Sequence, residues 1–296
     1  MTTILSQAAR TPTIPGPDPN PRPPHTPLPE GSCDCHAHVF GPQDAFPYLP
    51  NAAYIPPDAL PRDYVRMLST IGCRRAVLVQ PSNYGTDNRC MAAALTSGLF
   101  NFRGVAVVDQ TASDGELEAL HRAGVRGIRI NLSSKTPGIP LEQAPKLAAR
   151  IKPLGWHLQF FLRIGQVPSL EQVIAQIPVP CVIDHFGHAP ATGGLESPEF
   201  SILLRLARLG HVWFKLIGPY RISTHWPFYP DVAPLARALV AAAPDRCVWG
   251  TDWPHPNTAY VPSDGDLADA LAEWLPDAGT RRRVLVDNPG RLYGFD

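Results

Sequence analysis

Eight short β-branched runs, each followed by a longer amphipathic or alanine-rich stretch, constrain this chain more than any other feature of its sequence. The runs are Asp34 to Val39, Arg75 to Gln80, Arg103 to Val108, Gly127 to Asn131, His157 to Phe161, Cys181 to Asp184, Val212 to Leu216 and Cys247 to Gly250. Between and after them the pattern predicts helices near 58–71, 87–99, 114–123, 141–154, 169–176, 198–209, 231–243 and 265–287, the last broken at Pro276. Strands that alternate with helices pair in parallel, because each helix returns the chain across a face of the sheet. Eight repeats match an α/β fold of the closed (β/α)8 barrel type, for which about 250 residues are typical. The rival, an open doubly wound sheet, lacks its usual signal: no G-x-G-x-x-G or Walker A sequence follows the first strand.

Proline shows where the barrel begins. The chain holds 35 prolines in 296 residues, against an average near 5%, and those at 12, 15, 17, 19, 21, 23, 24, 27 and 29 crowd a segment with almost no large apolar side chain. Such a segment cannot pack a core of its own. Residues 1–31 are therefore expected to form an extended arm, disordered or draped over the domain or over a neighbouring subunit, and residues 32–296 a single barrel domain. A second group, Pro42, Pro47, Pro50, Pro56 and Pro57, stiffens a long loop after the first strand. Loops of that length often carry function.

Charge excludes several partners. With 26 basic and 26 acidic side chains the chain has no bulk attraction for nucleic acid or an acidic membrane, so any anion recognition must be local. No apolar run approaches the ~20 residues that span a bilayer, and the N-terminus lacks the apolar region of a secretory signal. A cytoplasmic protein is expected, and assembly into a homo-oligomer is compatible with the sequence. Six cysteines, Cys33, Cys35, Cys73, Cys90, Cys181 and Cys247, include no C-x-x-C pair and read as reduced, buried thiols.

In such barrels the chemistry stands where strands end. Strand one carries His36 and His38, which the period of two turns towards the same side, the barrel axis. Strand six runs into Asp184-His185-Phe186-Gly187 and strand eight into Gly250-Thr251-Asp252-Trp253-Pro254-His255. A carboxylate at the end of a buried strand is costly unless it is paired or used, which singles out Asp252. Asp184, adjacent to His185 and so facing the other way, reads as a loop anchor outside the site. Arg129 on strand four and Arg221 after strand seven can each grip a planar anion through a forked pair of hydrogen bonds, whereas Arg126, near the start of its strand, reads as a surface residue.

These motifs resemble the amidohydrolase superfamily, and more narrowly its lactone-hydrolysing branch, which includes the 2-pyrone-4,6-dicarboxylate hydrolases. The likeness to that branch extends to Phe40-Gly41-Pro42, Phe46-Pro47-Tyr48, Tyr54-Ile55-Pro56-Pro57-Asp58-Ala59 and Val79-Gln80-Pro81-Ser82-Asn83-Tyr84-Gly85-Thr86-Asp87-Asn88. It runs from about Cys33 to Tyr293. The resemblance implies that Asp252 is the general base that activates water, that His36, His38 and His185 polarise a lactone carbonyl, and that Tyr54, Ser82, Arg129 and Arg221 hold substrate carboxylates. His255 and Lys135 join the expected substrate-binding set. Lys135 stands where the dicarboxylate hydrolases carry a second arginine, which admits sulfomuconolactone-like and sugar-acid lactones beside a pyrone dicarboxylate.

Many members of the superfamily hold zinc with comparable residues, and His36, His38, His185 and Asp252 form a nitrogen and oxygen set that suits it. Here strands four and five end in Arg129, Gln159 and Phe161 rather than in a further ligand. The expectation is catalysis with no required cofactor, zinc on those four residues being the alternative. Two other functions stay open on sequence: a metal-dependent non-oxidative decarboxylase of an aromatic or unsaturated acid, and a binding protein that kept the barrel without turnover.

Overall fold

The computed structural model describes residues 12–133, 139–258 and 260–295. Its strands are β1 Cys33–Ala37, β2 Arg75–Val79, β3 Phe102–Ala106, β4 Val125–Asn131, β5 His157–Phe161, β6 Cys181–Ile183, β7 Val212–Leu216 and β8 Cys247–Trp249. They pair in parallel in the order β1 to β8. The seam between β8 and β1 is drawn together differently: the buried Asp34 carboxylate accepts from Thr251 N at 3.0 Å and Thr251 Oγ1 at 2.6 Å. Just beyond, Asp252 N donates to His36 O at 2.9 Å and His38 N to Trp253 O at 2.8 Å.

Helices α1 Pro61–Ile71, α2 Arg89–Thr96, α3 Asp114–Arg122, α4 Ala144–Ile151, α5 Leu170–Ile174, α6 Pro198–Ala207, α7 Ala233–Ala242 and α8 Asp264–Trp274 follow the strands in turn. Local chemistry sets their ends. Ser113 and Glu116 cap α3 reciprocally, as a serine and a glutamate three residues apart do, and α6 begins with the Ser197 cap followed by Pro198. The segment expected as one helix over 265–287 is divided: α8 ends before Pro276, and α9 Ala278–Arg282, a wide turn over Arg283–Asp287 and α10 Asn288–Tyr293 follow. Strand β1 stops at Ala37 rather than Val39, because the chain leaves the barrel at Phe40 to pair with Ala59.

Two apolar layers result. One lies between strands and helices and contains Ile128, Leu158, Ile183, Phe214 and Trp249. The other fills the barrel itself with Cys33, Cys35, Val77, Val79, Val105, Val182 and Val248, plugged at the strand starts by Leu292, Tyr293 and Phe295. All six cysteines are buried and unpaired. No helix among the described residues is long and apolar enough to cross a membrane.

Strict alternation along β1 would have failed the two histidines. Cys33 and Cys35 face the interior, so an unbroken period of two would turn His36 and His38 outward. Instead three residues of β1 span two of β2, from Asp34 opposite Ala76 to Ala37 opposite Leu78. A bulge of this kind adds one residue and re-aims the side chains after it. Past it, Ala37 and Val39 pack in the outer layer, and the even-numbered histidines reach the axis.

The proline segment over 12–31 lies against the barrel. Thr13 bridges to Ile55, and Arg22 pairs with Asp266 of α8. Asp269 accepts from His25 N at 3.0 Å and Thr26 N at 2.9 Å. Gly265 makes room for this, since a Cβ there would stand 2.6 Å from Arg22 O.

Candidate active site

The ends of β1, β4, β6, β7 and β8 converge on Asp252. Its carboxylate is fully buried, and its two oxygens have different surroundings. Oδ2 accepts from Arg221 Nη2 at 2.6 Å, Arg221 Nε at 2.9 Å and Tyr220 Oη at 2.7 Å. Oδ1 has no hydrogen-bond partner among the described residues; it faces His38 Nε2 at 3.6 Å and His36 Nε2 at 3.7 Å. Burial alone would raise this carboxyl, but the Arg221 guanidinium bonded to Oδ2 holds it well below the usual carboxylate range. Asp252 is thus ionised at neutral pH with one oxygen held and the other available.

Backbone geometry aims these groups. Asp252 and His185 both sit in the left-handed region, at φ 65° and 50°, a strain that non-glycine residues adopt chiefly where the surrounding structure enforces it. Gly218, at φ 59°, lets the chain pass beside the His185 ring, where a Cβ would stand 2.7 Å from Nδ1. His185 Nδ1 lies 4.0 Å from Asp252 Oδ2, and burial holds its ring well below its usual pKa. Burial likewise lowers His38 and takes His36 down to about 3. All three rings are neutral at pH 7.

Below this layer stands a group that the sequence reading did not include. Asp184, read there as a loop anchor facing away, is fully buried inside the barrel. Its Oδ2 accepts from Gln159 Nε2 at 3.0 Å and from Arg129 Nε at 3.3 Å, and its Oδ1 lies 3.7 Å from Lys215 Nζ. Strand alternation does not extend to this pair, because β6 ends at Ile183 and His185 already belongs to the following turn, so the two neighbours do not share strand geometry. Lys215 was equally missed, although a lysine between Phe214 and Leu216 in an apolar strand is a legible signal. Burial would raise the Asp184 carboxyl, but the Lys215 ammonium and the Arg129 guanidinium beside it hold it well below the usual range.

Above Asp252 opens a cavity of about 510 Å³. Its lining includes His38, Tyr54, Ser82, Arg129, His185 and Arg221 from the expected set, together with Arg163, His188 and Tyr220, which the sequence reading did not name. Arg163 is exposed, and its guanidinium has no hydrogen bond or ion pair among the described residues. Arg129 lies over the Phe161 ring at 4.5 Å. His255 is placed beneath the wall, with Nδ1 3.2 Å from Tyr220 Oη and Nε2 3.2 Å from Asp264 Oδ1. Arg126 bonds to His121 O and Val125 O, away from the mouth. Lys135 lies outside the described residues.

Two sets of donors could hold a metal ion: His36, Asp184 and His185, and His36, His38 and Asp252, each with its atoms within 4.8 Å of one another. Spacing suits a cation, but the charges do not. Arg221 already neutralises Asp252 and Arg129 lies against Asp184, with the Lys215 ammonium beside it. A dication would share two carboxylates with three fixed positive groups. The residues present do not fit a resident metal.

Comparison with known proteins gives the family. Residues 33–295 match the family model described as Amidohydrolase. The chain is 40% identical over 285 residues to a 2-pyrone-4,6-dicarboxylate hydrolase of Comamonas testosteroni, covering 93% of each chain. It is 37% identical over 272 residues to a 4-sulfomuconolactone hydrolase of Hydrogenophaga intermedia, covering 90% of each. A crystal structure from Acinetobacter baumannii, named a probable 2-pyrone-4,6-dicarboxylic acid hydrolase and holding citric acid, superposes with a TM-score of 0.80 at 28% identity, covering 90% of this chain and 100% of that one.

Proposed function

The chain belongs to the amidohydrolase family, and on that premise we propose that it is a lactonase, opening the ring of an anionic lactone with a water molecule activated by Asp252. The observation that carries the reading is the divided Asp252 carboxylate, with Oδ2 tied to Arg221 and Tyr220 and Oδ1 left beside His36 and His38 with no hydrogen-bond partner among the described residues. Water attacks the lactone carbonyl carbon while Oδ1 removes its proton, and the carbonyl oxygen becomes an oxyanion. The C–O bond to the ring oxygen then breaks, and Asp252 returns the proton to that leaving oxygen. A positioned acid–base group of this kind contributes about 10²–10⁴-fold, and each oxyanion donor about 3 kcal/mol.

Asp252 is a weak base in the free enzyme because Arg221 holds it. A substrate carboxylate that draws on Arg221 weakens that hold and raises the basicity of Oδ1 once substrate is bound. Tyr54, Ser82, Arg129 and Arg221 line the cavity as the carboxylate-binding set, and Arg163 adds a third guanidinium. Three guanidinium groups around one cavity favour a substrate with more than one acidic group. Relatives named for a pyrone dicarboxylate and a sulfonated lactone support that class.

No metal is needed in this reading. The experiment is a panel of mono- and dianionic lactones followed by loss of ring absorbance, with enzyme assayed before and after chelation. Turnover of a dianionic lactone that survives metal removal is the expected outcome. Release of carbon dioxide instead of ring opening, or loss of all activity with removal of a stoichiometric metal, overturns it.

A further inference from the structure

His36 and His38 stand on one strand and flank the same carboxylate oxygen, but their outer ring nitrogens meet opposite partners. His38 Nδ1 lies 2.7 Å from Val79 O. A carbonyl only accepts, so Nδ1 carries the proton, and the neutral ring presents a lone pair at Nε2. His36 Nδ1 lies 3.2 Å from Lys215 Nζ, and an ammonium only donates. Nδ1 of His36 must then carry the lone pair, and the neutral ring holds its proton on Nε2, which has no partner among the described residues.

We propose that Lys215 is a positioning residue that fixes His36 as the Nε2–H tautomer, converting a ring placed like a metal ligand into a hydrogen-bond donor for the reacting carbonyl. A histidine that binds metal through one nitrogen almost always donates from the other to a carbonyl, carboxylate or water. His38 satisfies that condition and His36 does not. The competing acceptor, Asp184 Oδ1, is 3.5 Å from His36 Nδ1, beyond a normal hydrogen bond, while Asp184 spends its Oδ2 on Gln159 and Arg129. Lys215 is itself anchored, donating to Cys35 O at 2.8 Å, and it is fully buried, so its ammonium has few other directions to turn.

The pair of opposite tautomers deepens the proposed reaction. Asp252 Oδ1 and His38 Nε2 are two acceptors for the two protons of one water molecule, and His36 Nε2–H is the donor for the carbonyl oxygen that this water attacks. Only that assignment rests on the lactonase reading; the tautomer itself does not.

Histidine-labelled protein at pH 7, observed by two-bond proton–nitrogen correlation spectra and assigned with His36→Gln, tests it without turnover. Native enzyme should show His36 protonated at Nε2 and His38 at Nδ1, and should retain under 0.1 zinc per chain after exposure to one equivalent and desalting. Lys215→Met, which keeps the stem and removes the donor, should move the His36 proton to Nδ1 and retain close to one zinc per chain. A native His36 protonated at Nδ1, a native chain that retains stoichiometric zinc, or an unchanged His36 ring in a folded Lys215→Met overturns the proposal. If Lys215→Met does not fold, the native spectrum alone decides. A native enzyme that opens no lactone but shows the expected tautomers refutes the function and leaves the assignment of Lys215 standing.

Discussion

At the scale of single residues, the site turns on which oxygen of each buried carboxylate its cations hold. In the proposed reaction Asp252 serves as the base, with one oxygen bonded to Arg221 and the other facing neutral histidines. Asp252→Asn keeps the shape and removes the base, and it should lower kcat about 10²–10⁴-fold with the fold intact by circular dichroism; unchanged turnover would show that another group takes the proton. Arg163 offers a separate test. Because its guanidinium lines the cavity without a partner among the described residues, Arg163→Met should raise KM about tenfold or more for a dianionic lactone and leave a monoanionic one within about twofold, as loss of one charge-assisted hydrogen bond of 1.5–3 kcal/mol requires. Equal effects on both substrates would remove Arg163 from recognition. Lys135, the second cation expected from sequence, lies outside the described residues; Arg163 reaches the cavity from the turn after β5, a placement that only the folded barrel discloses.

At the scale of elements, the strap formed by residues 12–31 and helix α8 depend on each other. Asp269 accepts from two backbone amides of the strap and from the His25 ring, so Asp269→Ala leaves those amides without their acceptor. Limited proteolysis should then cut within 12–31 at protease levels that spare the native chain, while the barrel fragment stays whole. Cleavage at the native rate would mean that the contact with Asp269 contributes little. The proline content announced an extended segment, since proline fixes φ and removes a donor. It could not announce the destination, because an extended chain has unsatisfied backbone groups along its whole length and any surface with suitable acceptors serves.

At the scale of the molecule, burying so many neutral histidines leaves a signature in stability. Burial takes His36 and His157 down to about 3 and His188 to about 4, against about 6.5 in the unfolded chain. The unfolded state therefore binds protons that the fold refuses as pH falls below about 6.5, and stability is lost. Asp34 acts in the other direction: burial raises it to about 6, so the fold takes up one proton between there and about 4. The balance is a loss of at least two protons' worth near pH 5, each about 1.4 kcal/mol per pH unit. Urea unfolding at pH 7, 6 and 5 should show that decline, and constant stability across the range would contradict it. The sequence by itself determined the barrel, through eight alternations whose period is local, and determined the residue types of the site, through polar side chains that interrupt apolar strand ends. Tertiary structure alone decided that a bulge in β1 turns His36 and His38 inward, that Asp184 stands inside the barrel, and that Lys215 meets His36 across 179 residues of chain. Those facts depend on register and on distance between strands, and a pattern read along one strand carries neither.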